Sequence, residues 1–264
     1  MKRLKRVVRT GWGRRPMGPL LWKELRQLPR KRGVLASALL LPLLLLLVLP
    51  LGQMLALARL PAATAAGSRV SGGLPGTETM QAISHDPSLM FRLMTFPLIV
   101  IIGGLIGPNV LATHSVVVER ERRTLDLLAA LPVTLSDILQ AKLLATVLIS
   151  AVIAVPLLAI DAAAALFLGL ASIADVAAMA VLLLAAMAYS TASALVVSLL
   201  SGDYRTANNV GGALIGPIIL ASVALVLLLP RGSAPWVLAA VLLALAAVAV
   251  GVALRWLSIE RLLR

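Results

Sequence analysis

The chain has 264 residues, of which 60% are hydrophobic, and its mean hydropathy of +1.00 indicates more apolar surface than a soluble core of this length can bury. Its formal net charge is +13, yet aromatic residues make up only 3% and the basic residues cluster at the ends of apolar runs, which argues against a nucleic-acid-binding protein and for a membrane protein. The absence of cysteine excludes disulfides, thiolate metal sites and cysteine nucleophiles.

Residues 1–33 form a basic arm that carries twelve Lys or Arg and a single acid, Glu24, and that suits the anionic headgroups of membrane lipid. The second half of the arm has one apolar side at helical spacing, made by Leu20, Leu21, Leu25 and Leu28. This pattern predicts a short amphipathic helix in the cytoplasmic membrane interface. A basic flank that only sets the topology is the alternative, and the two interpretations are compatible.

The first apolar run, residues 34–58, is long enough for the roughly 20 residues that a membrane span requires. A secretory signal that ends near residues 61–66 is disfavoured, because the run exceeds the roughly 7–15 residues of a signal core and the basic arm is too long. Residues 59–92 then form a polar loop on the far side. His85 and Asp86 in this loop are interpreted as a solvated pair, with a metal or proton site as the alternative.

Five further apolar runs predict spans two to six, at residues 93–118, 139–168, 176–200, 207–229 and 236–257. The connections between the last four are short, so the predicted fold is an all-α bundle of six antiparallel transmembrane helices. With both termini on one side, that side receives 20 Lys or Arg and the other receives 4. The positive-inside rule therefore places both termini in the cytoplasm, together with the connection between spans two and three.

Residues 119–138, here called the charged segment, separate the second and third predicted spans. Together with Lys142 they contain eight charged residues, whereas the flanking apolar runs contain almost none. An apolar stripe at helical spacing predicts a short amphipathic helix within the segment, and the stripe consists of Leu125, Leu127, Leu128 and Leu131. Thr124 is suited to cap this helix and Pro132 to end it.

The order of residues here resembles the signature of ABC-2 type transporter permeases, in the groups Glu119-Arg120-Glu121, Thr124-Leu125-Asp126, Leu127-Leu128, Pro132-Val133, Asp137-Ile138-Leu139 and Lys142. In that family the segment bears the coupling helix, which sits in a groove of a separate ATPase subunit. The resemblance implies a set of coupling residues: Glu119, Arg120, Glu121, Arg122, Arg123, Thr124, Leu125, Asp126, Leu128 and Pro132. Leu125 and Leu128 are expected as buried anchors and the charged residues as the rim.

The resemblance also implies a half-transporter, in which two six-span chains, identical or homologous, surround one pathway above two ATPase subunits that hold ATP and Mg²⁺. It implies export more often than import, in the plasma membrane of a bacterium or archaeon. The chain lacks the Gly-x-x-x-x-Gly-Lys-Ser/Thr, His-Glu-x-x-His and Gly-x-Ser-x-Gly patterns, so we expect a non-catalytic subunit with no cofactor or metal of its own. The alternatives are an ATP-independent secondary transporter or channel and a membrane scaffold.

Two stretches within the predicted spans are alike, residues 103–108 and residues 211–217. Gly103 with Gly107, and Gly212 with Gly216, fit the Gly-x-x-x-Gly spacing that lets helices approach closely. Pro108 and Pro217 follow these pairs and favour kinks. We expect these residues in helix packing, in subunit packing or in the lining of the pathway, and both an inverted repeat and a chance similarity remain open.

Asp161 is the one acid well inside an apolar run, ~28 Å along the third span from Lys142 at 1.5 Å per residue. The favoured interpretation is an acid that reaches water at the outer leaflet, and the alternative is a proton or cation ligand on the pathway. Asp175 is expected to start the fourth span. Asn208 and Asn209 are expected to cap the fifth span, with a polar gate as the alternative.

Overall fold

The computed structural model describes residues 18, 21–22, 25–26, 40–59, 86–121, 135–201, 203–229 and 232–256. Every regular element in these residues is helical, and no strand occurs among them. Six helices in the described part of the chain are long and apolar enough to cross a membrane, which confirms the predicted all-α six-span bundle. They are called span 1 to span 6 in chain order: Leu40–Ala58, Pro87–Ser115, Asp137–Phe167, Ile173–Leu200, Tyr204–Leu228 and Ala234–Ala253.

Several helices start before the apolar runs that predict them. The span 3 helix is Leu135–Phe167, the span 4 helix is Ile173–Leu200 and the span 6 helix is Ala234–Trp256. The predicted starts were residues 139, 176 and 236. The difference arises because polar residues can occupy the first turn of a helix, where side chains and water satisfy its free N–H groups, so a helix starts outside its apolar run.

Spans 1 and 2 each contain one π-helical turn, Leu44–Val48 in span 1 and Phe91–Thr95 in span 2. Ordinary α-helix follows both turns, and each is followed after two residues by a proline, Pro50 or Pro97. Proline has no N–H to donate, and its ring crowds the carbonyl four residues earlier. A wider turn directly before the proline gives that ring room without ending the helix.

Asp86 caps the start of span 2. Its Oδ1 accepts hydrogen bonds from the backbone N–H groups of Ser88, at 2.9 Å, and Leu89, at 3.3 Å, and from the Ser88 hydroxyl at 2.6 Å. These bonds, first of all that from the Ser88 hydroxyl, hold the pKa of Asp86 below its ordinary value of 3.8. Asp86 therefore has a structural role as an N-cap, whereas His85 lies outside the described residues.

Span 4 begins at a capping box formed by Ser172 and Asp175. The Ser172 hydroxyl accepts from the Asp175 N–H at 3.3 Å, and the Asp175 carboxylate accepts from the Ser172 N–H at 2.8 Å. The predicted role of Asp175 at the start of this helix is confirmed. Asp175 also pairs with Arg92 of span 2 at 2.7 Å, which ties the ends of these two spans together.

Asp203 caps span 5. Its carboxylate accepts from the Thr206 N–H at 2.8 Å, and this bond lowers the pKa of Asp203. Asn208 and Asn209 lie inside the helix Tyr204–Ala213, so the prediction that they cap it was wrong. A capping side chain must precede the first turn, because only there can it reach the free N–H groups.

Span 5 is broken at Leu214, between the helices Tyr204–Ala213 and Ile215–Leu228. Pro217 explains the break: it has no N–H for the carbonyl of Ala213, four residues earlier. The break thus lies three residues before the proline at which the sequence favours a kink. Pro108, by contrast, lies within the continuous helix Phe96–Glu121, whose neighbours hold it on several sides.

Spans 2 and 4 form the centre of the bundle. In their most apolar windows 50% and 61% of the residues are buried, compared with 22–28% in the other four spans. Lipid is as apolar as leucine, so burial from lipid drives association only weakly and close packing of small residues matters more. The central pair is accordingly rich in Gly, Ala and Ser at its contacts.

The described residues of the basic arm contact the bundle. Leu21 and Leu25 pack against Leu111 of span 2 and Ala145 of span 3. Trp22 is exposed, and the Arg26 guanidinium lies over its ring at 4.8 Å, a cation–π contact. Leu21 and Leu25 are half-buried, whereas Leu20 and Leu28 lie outside the described residues, so the amphipathic helix stays a prediction.

Candidate functional site

Span 2 leads directly into the charged segment. Its helix continues from Phe96 to Glu121, so the backbone of Glu119, Arg120 and Glu121 belongs to the same continuous helix as the span 2 residues at the centre of the bundle. The remaining predicted coupling residues lie outside the described residues: Arg122, Arg123, Thr124, Leu125, Asp126, Leu128 and Pro132. The description resumes with the span 3 helix at Leu135. The charged segment therefore connects the adjacent ends of spans 2 and 3.

Gly104 brings span 2 against span 4. A Cβ atom at Gly104 would lie 2.9 Å from the Cβ of Ala186 and 3.2 Å from the carbonyl oxygen of Leu183. The Ser190 hydroxyl of span 4 donates to the carbonyl oxygen of Leu105. The missing side chain and the hydrogen bond together allow the two backbones to approach closely.

Gly103 brings the adjacent face of span 2 against span 1. A Cβ atom there would lie 2.5 Å from Cγ of Leu46, a fully buried side chain. The expected packing role of Gly103 is confirmed, and Gly107 is buried on the same helix. Sequence reasoning missed Gly104, although the double glycine carried the signal: successive residues of a helix face different neighbours.

Span 2 meets span 5 through polar and aromatic residues. A Cβ atom at Gly211 would lie 2.8 Å from Oδ1 of Asn109, and the Thr113 hydroxyl donates to the same oxygen at 3.2 Å. One turn further on, the rings of His114 and Tyr204 make an edge-to-face contact with centroids 6.0 Å apart. Gly211 is therefore the glycine at which span 5 closely approaches span 2, whereas the sequence pattern had pointed to its neighbour Gly212.

The predicted glycine pair of span 5 packs against no other described residue of the chain. A Cβ atom at Gly212 or Gly216 would meet nothing within 4 Å, and both residues are exposed. Their expected roles in subunit packing or in the lining of the pathway stay predictions. The Gly-x-x-x-Gly spacing predicts a smooth helix face, but it does not say which neighbour covers that face.

Lys142 fastens span 3 to span 2 beside the charged segment. Its side chain is only 2% exposed, and Nζ donates to the hydroxyl of Ser115 at 3.1 Å. Burial of an ammonium group is costly unless hydrogen bonds compensate, so this contact holds the two helices in one register. Span 2 thus contacts spans 1, 3, 4 and 5 by four different sets of residues.

A groove of about 290 Å³ opens between spans 3, 4 and 6 near the Lys142 end of the bundle. Its wall is aliphatic apart from Gln140, and its lining residues are Leu139, Gln140, Leu143, Leu144, Ala192, Leu195, Val196, Val250 and Ala253. Such a wall offers hydrocarbon contacts but almost no hydrogen-bond partners to a polar molecule.

Asp161 does not reach water at the outer leaflet, and the favoured interpretation of this residue was wrong. Its exposed fraction is 0%, and neither carboxylate oxygen has a hydrogen-bond partner in the part of the chain that the structure describes. Position along the helix axis had suggested the interface, but rotation about that axis turns the side chain into the bundle. Among the described residues no group of three or more acidic or His side chains is placed to hold a metal ion.

A comparison with protein-family models finds one described as an ABC-2 family transporter protein, which matches residues 75–260. The matched region includes spans 2 to 6 and the whole charged segment. No curated protein and no solved structure matches the chain significantly.

Proposed function

Since the chain belongs to the ABC-2 family of transporter proteins, we propose that it is the membrane-spanning subunit of an ATP-driven exporter and that its charged segment docks on a separate ATPase subunit. Membership makes the chain a permease of an ABC transporter and a multi-pass membrane protein. The family in general works with an ABC ATPase. Coupling through the charged segment and the direction of transport are the further steps argued below.

The observation that carries the proposal is the path of the span 2 helix. It runs from Phe96 through the centre of the bundle to Glu121, where the charged segment begins. A push on the segment by an ATPase is therefore applied to the end of a rigid rod. Because that rod packs on four other spans, an axial displacement or tilt changes every one of these contacts.

The contacts of span 2 differ in how they resist movement. At Gly104 and Gly103 there is little space between helices, so a tilt of span 2 also displaces spans 4 and 1. At Lys142 and Ser115 a hydrogen bond couples the two helix ends that flank the charged segment. We infer that spans 2 and 3 move together as a hairpin when the segment is pushed.

The charge distribution supports the orientation that this mechanism needs. The side with the termini and the charged segment carries 20 of the Lys and Arg residues, against 4 on the other, so the segment faces the cytoplasm where ATP is available. We propose two ATPase subunits, with ATP and Mg²⁺ bound to them, and a second permease chain, identical or homologous. Exposed faces on spans 1, 3, 5 and 6 leave room for that chain and for lipid.

The test is purification of the tagged chain from native membranes in mild detergent, with identification of the associated ATPase. A Leu125→Asp and Leu128→Asp double variant should retain the bundle but lose the ATPase, because burial of a hot-spot anchor is worth about 2 kcal/mol or more. The matched single variants are Leu128→Asp, on the apolar stripe, and Ala130→Asp, on the opposite side of the helix that the sequence predicts there. Only the first should weaken association.

Two outcomes would contradict the proposal. A chain that purifies without any nucleotide-binding subunit in several detergents would favour an ATP-independent transporter or a scaffold. Equal association of the Leu128→Asp and Ala130→Asp variants would show that the stripe is not the docking face. Export is tested separately with inside-out vesicles, in which ATP added outside should drive substrate inward.

A further inference from the structure

Asp161 is unlike the other aspartates whose hydrogen bonds are described above. Asp86, Asp175 and Asp203 accept hydrogen bonds at helix starts, and Asp175 also has an ionic partner. Asp161 has an exposed fraction of 0%, and among the described residues neither Oδ1 nor Oδ2 has a hydrogen-bond partner. It lies two turns before Phe167, the last residue of the span 3 helix.

The surroundings of Asp161 are aliphatic. Residues three before and four after a helical position share its face, and here these are Leu158 and Ala165. Both belong to the main apolar cluster of the bundle, which spans 1, 2 and 4 also line. The carboxyl group of Asp161 therefore projects from the helix face that is packed into the hydrocarbon core of the protein.

Ionisable groups on the helices that pack against span 3 lie elsewhere. Span 1 has none within Leu40–Ala58 and is followed by Arg59, while span 4 has Asp175 and Tyr189. Span 2 has Arg92, which is paired with Asp175, and at its opposite end His114, which contacts Tyr204. Span 3 itself has Asp137 and Lys142 at its far end. None of these groups makes a hydrogen bond to Asp161.

No described residue supplies a hydrogen bond or a counter-charge to an ionised carboxylate in this place, so its burial would be strongly unfavourable. A neutral carboxylic acid avoids this cost. A metal cation is a poor substitute for the proton, since cations such as Mg²⁺ and Ca²⁺ need six or more oxygen ligands and Leu158 and Ala165 supply none. We propose that Asp161 is a proton-binding site of the bundle, occupied by a proton in the conformation seen here.

This site has a consequence for the transport movement, and only this consequence depends on the proposed function. A conformation that admits water between the ends of spans 1 and 3 would hydrate Asp161 and favour release of its proton to that side. Proton release and opening are then linked, so each must favour the other. Excess protons should hold the bundle in the conformation in which Asp161 is buried.

The test uses the purified full chain and a hydrophobic carbodiimide, so it needs neither the ATPase nor a substrate. A neutral acid gives its O–H proton to a carbodiimide nitrogen while the carboxyl oxygen bonds to the central carbon, and the adduct keeps the whole reagent. An exposed aspartate is neutral in roughly one molecule per thousand at pH 7, so a neutral Asp161 should react on the order of 1,000-fold faster than Asp203. Peptide mapping by mass spectrometry measures both sites in one sample.

Three variants and one infrared spectrum test whether Asp161 carries a proton. Asp161→Asn should lose the adduct, Asp161→Glu should keep one at that position, and the control Asp175→Asn should keep the adduct on Asp161. An infrared carbonyl band of a protonated acid should be present in the wild type and absent from Asp161→Asn. If that band is missing in the wild type, or if sodium chloride but not choline chloride suppresses labelling, the proton assignment is overturned. Either failure leaves the coupling proposal untouched.

Discussion

Gly104 is the position where one added methyl group should disturb the bundle most. In Gly104→Ala the new Cβ would lie 2.9 Å from the Cβ of Ala186 and 3.2 Å from the carbonyl oxygen of Leu183. The carbonyl oxygen belongs to the backbone of a helix, so it cannot move away by rotation of a side chain. Spans 2 and 4 must therefore separate, and overpacking of this kind costs about 1–3 kcal/mol.

Gly212→Ala is the matched control. A Cβ atom there would meet nothing within 4 Å, and the residue lies in a helix as Gly104 does. Both variants gain the helix propensity of Ala over Gly, about 1 kcal/mol, so this term cancels in the difference between them. The difference should equal the packing cost alone, about 1–3 kcal/mol, or on the order of 5–150-fold in the ratio of folded to unfolded protein.

Equilibrium unfolding of both variants in the same detergent measures this difference. Gly104→Ala should unfold at lower denaturant than the wild type, and Gly212→Ala at the same or higher denaturant. If the two variants proved equally stable, the close packing of spans 2 and 4 would not determine the stability of the bundle. If Gly212→Ala were the less stable, the tight contact would lie on span 5 and the reasoning from span 2 would be refuted.

Three further predictions concern polar contacts. Lys142→Met should retain the fold, because an apolar side chain of similar size can replace a buried charge. The ATPase activity of the assembled complex should nevertheless fall, because the hydrogen bond between spans 2 and 3 is lost, and Ser115→Ala should have the same effect. Full activity in both variants would contradict the proposal that spans 2 and 3 move as a hairpin. Asp86→Ala should cost about 1 kcal/mol in unfolding experiments. The pKa of Asp86 is depressed, so its stabilisation should be complete above its ordinary 3.8 and disappear as pH falls through the lower folded value, whereas Asp86→Asn should show no such pH dependence. Arg92→Gln should lower the free energy of unfolding by less than about 1 kcal/mol, and added salt should reduce this effect. Asp175→Ala should lower it further, because this variant also removes the capping box. Equal losses of stability in thermal unfolding would argue against the cap.

Helix number and type could be predicted from the sequence because the bilayer imposes a length. A run must provide roughly 20 apolar residues to cross the hydrocarbon, and backbone groups inside it must pair within the helix. Six runs meet this condition, and the structure has six spans. The charged segment was evident for the same reason, since its eight charges, counted with Lys142, cannot lie in hydrocarbon.

The sequence predicted a helix cap correctly where the cap depends only on residues nearby in the chain. Asp175 starts span 4 because a cap needs only the N–H groups of the next turn. The same rule failed for Asn208 and Asn209, since the apolar run began after the true cap, Asp203. A boundary read from hydropathy marks where lipid begins, whereas the helix begins where its first N–H groups find a partner.

Contacts between helices were decided only by the tertiary structure. The spacing of Gly103 and Gly212 looks equivalent in sequence, but the first faces Leu46 and the second faces no side chain of the chain. Asp161 was expected on a water-facing side of its helix, whereas the packing of the helices buries it. Sequence position determines depth in the membrane through a constant rise per residue, but rotation and choice of neighbour depend on how all six helices pack together.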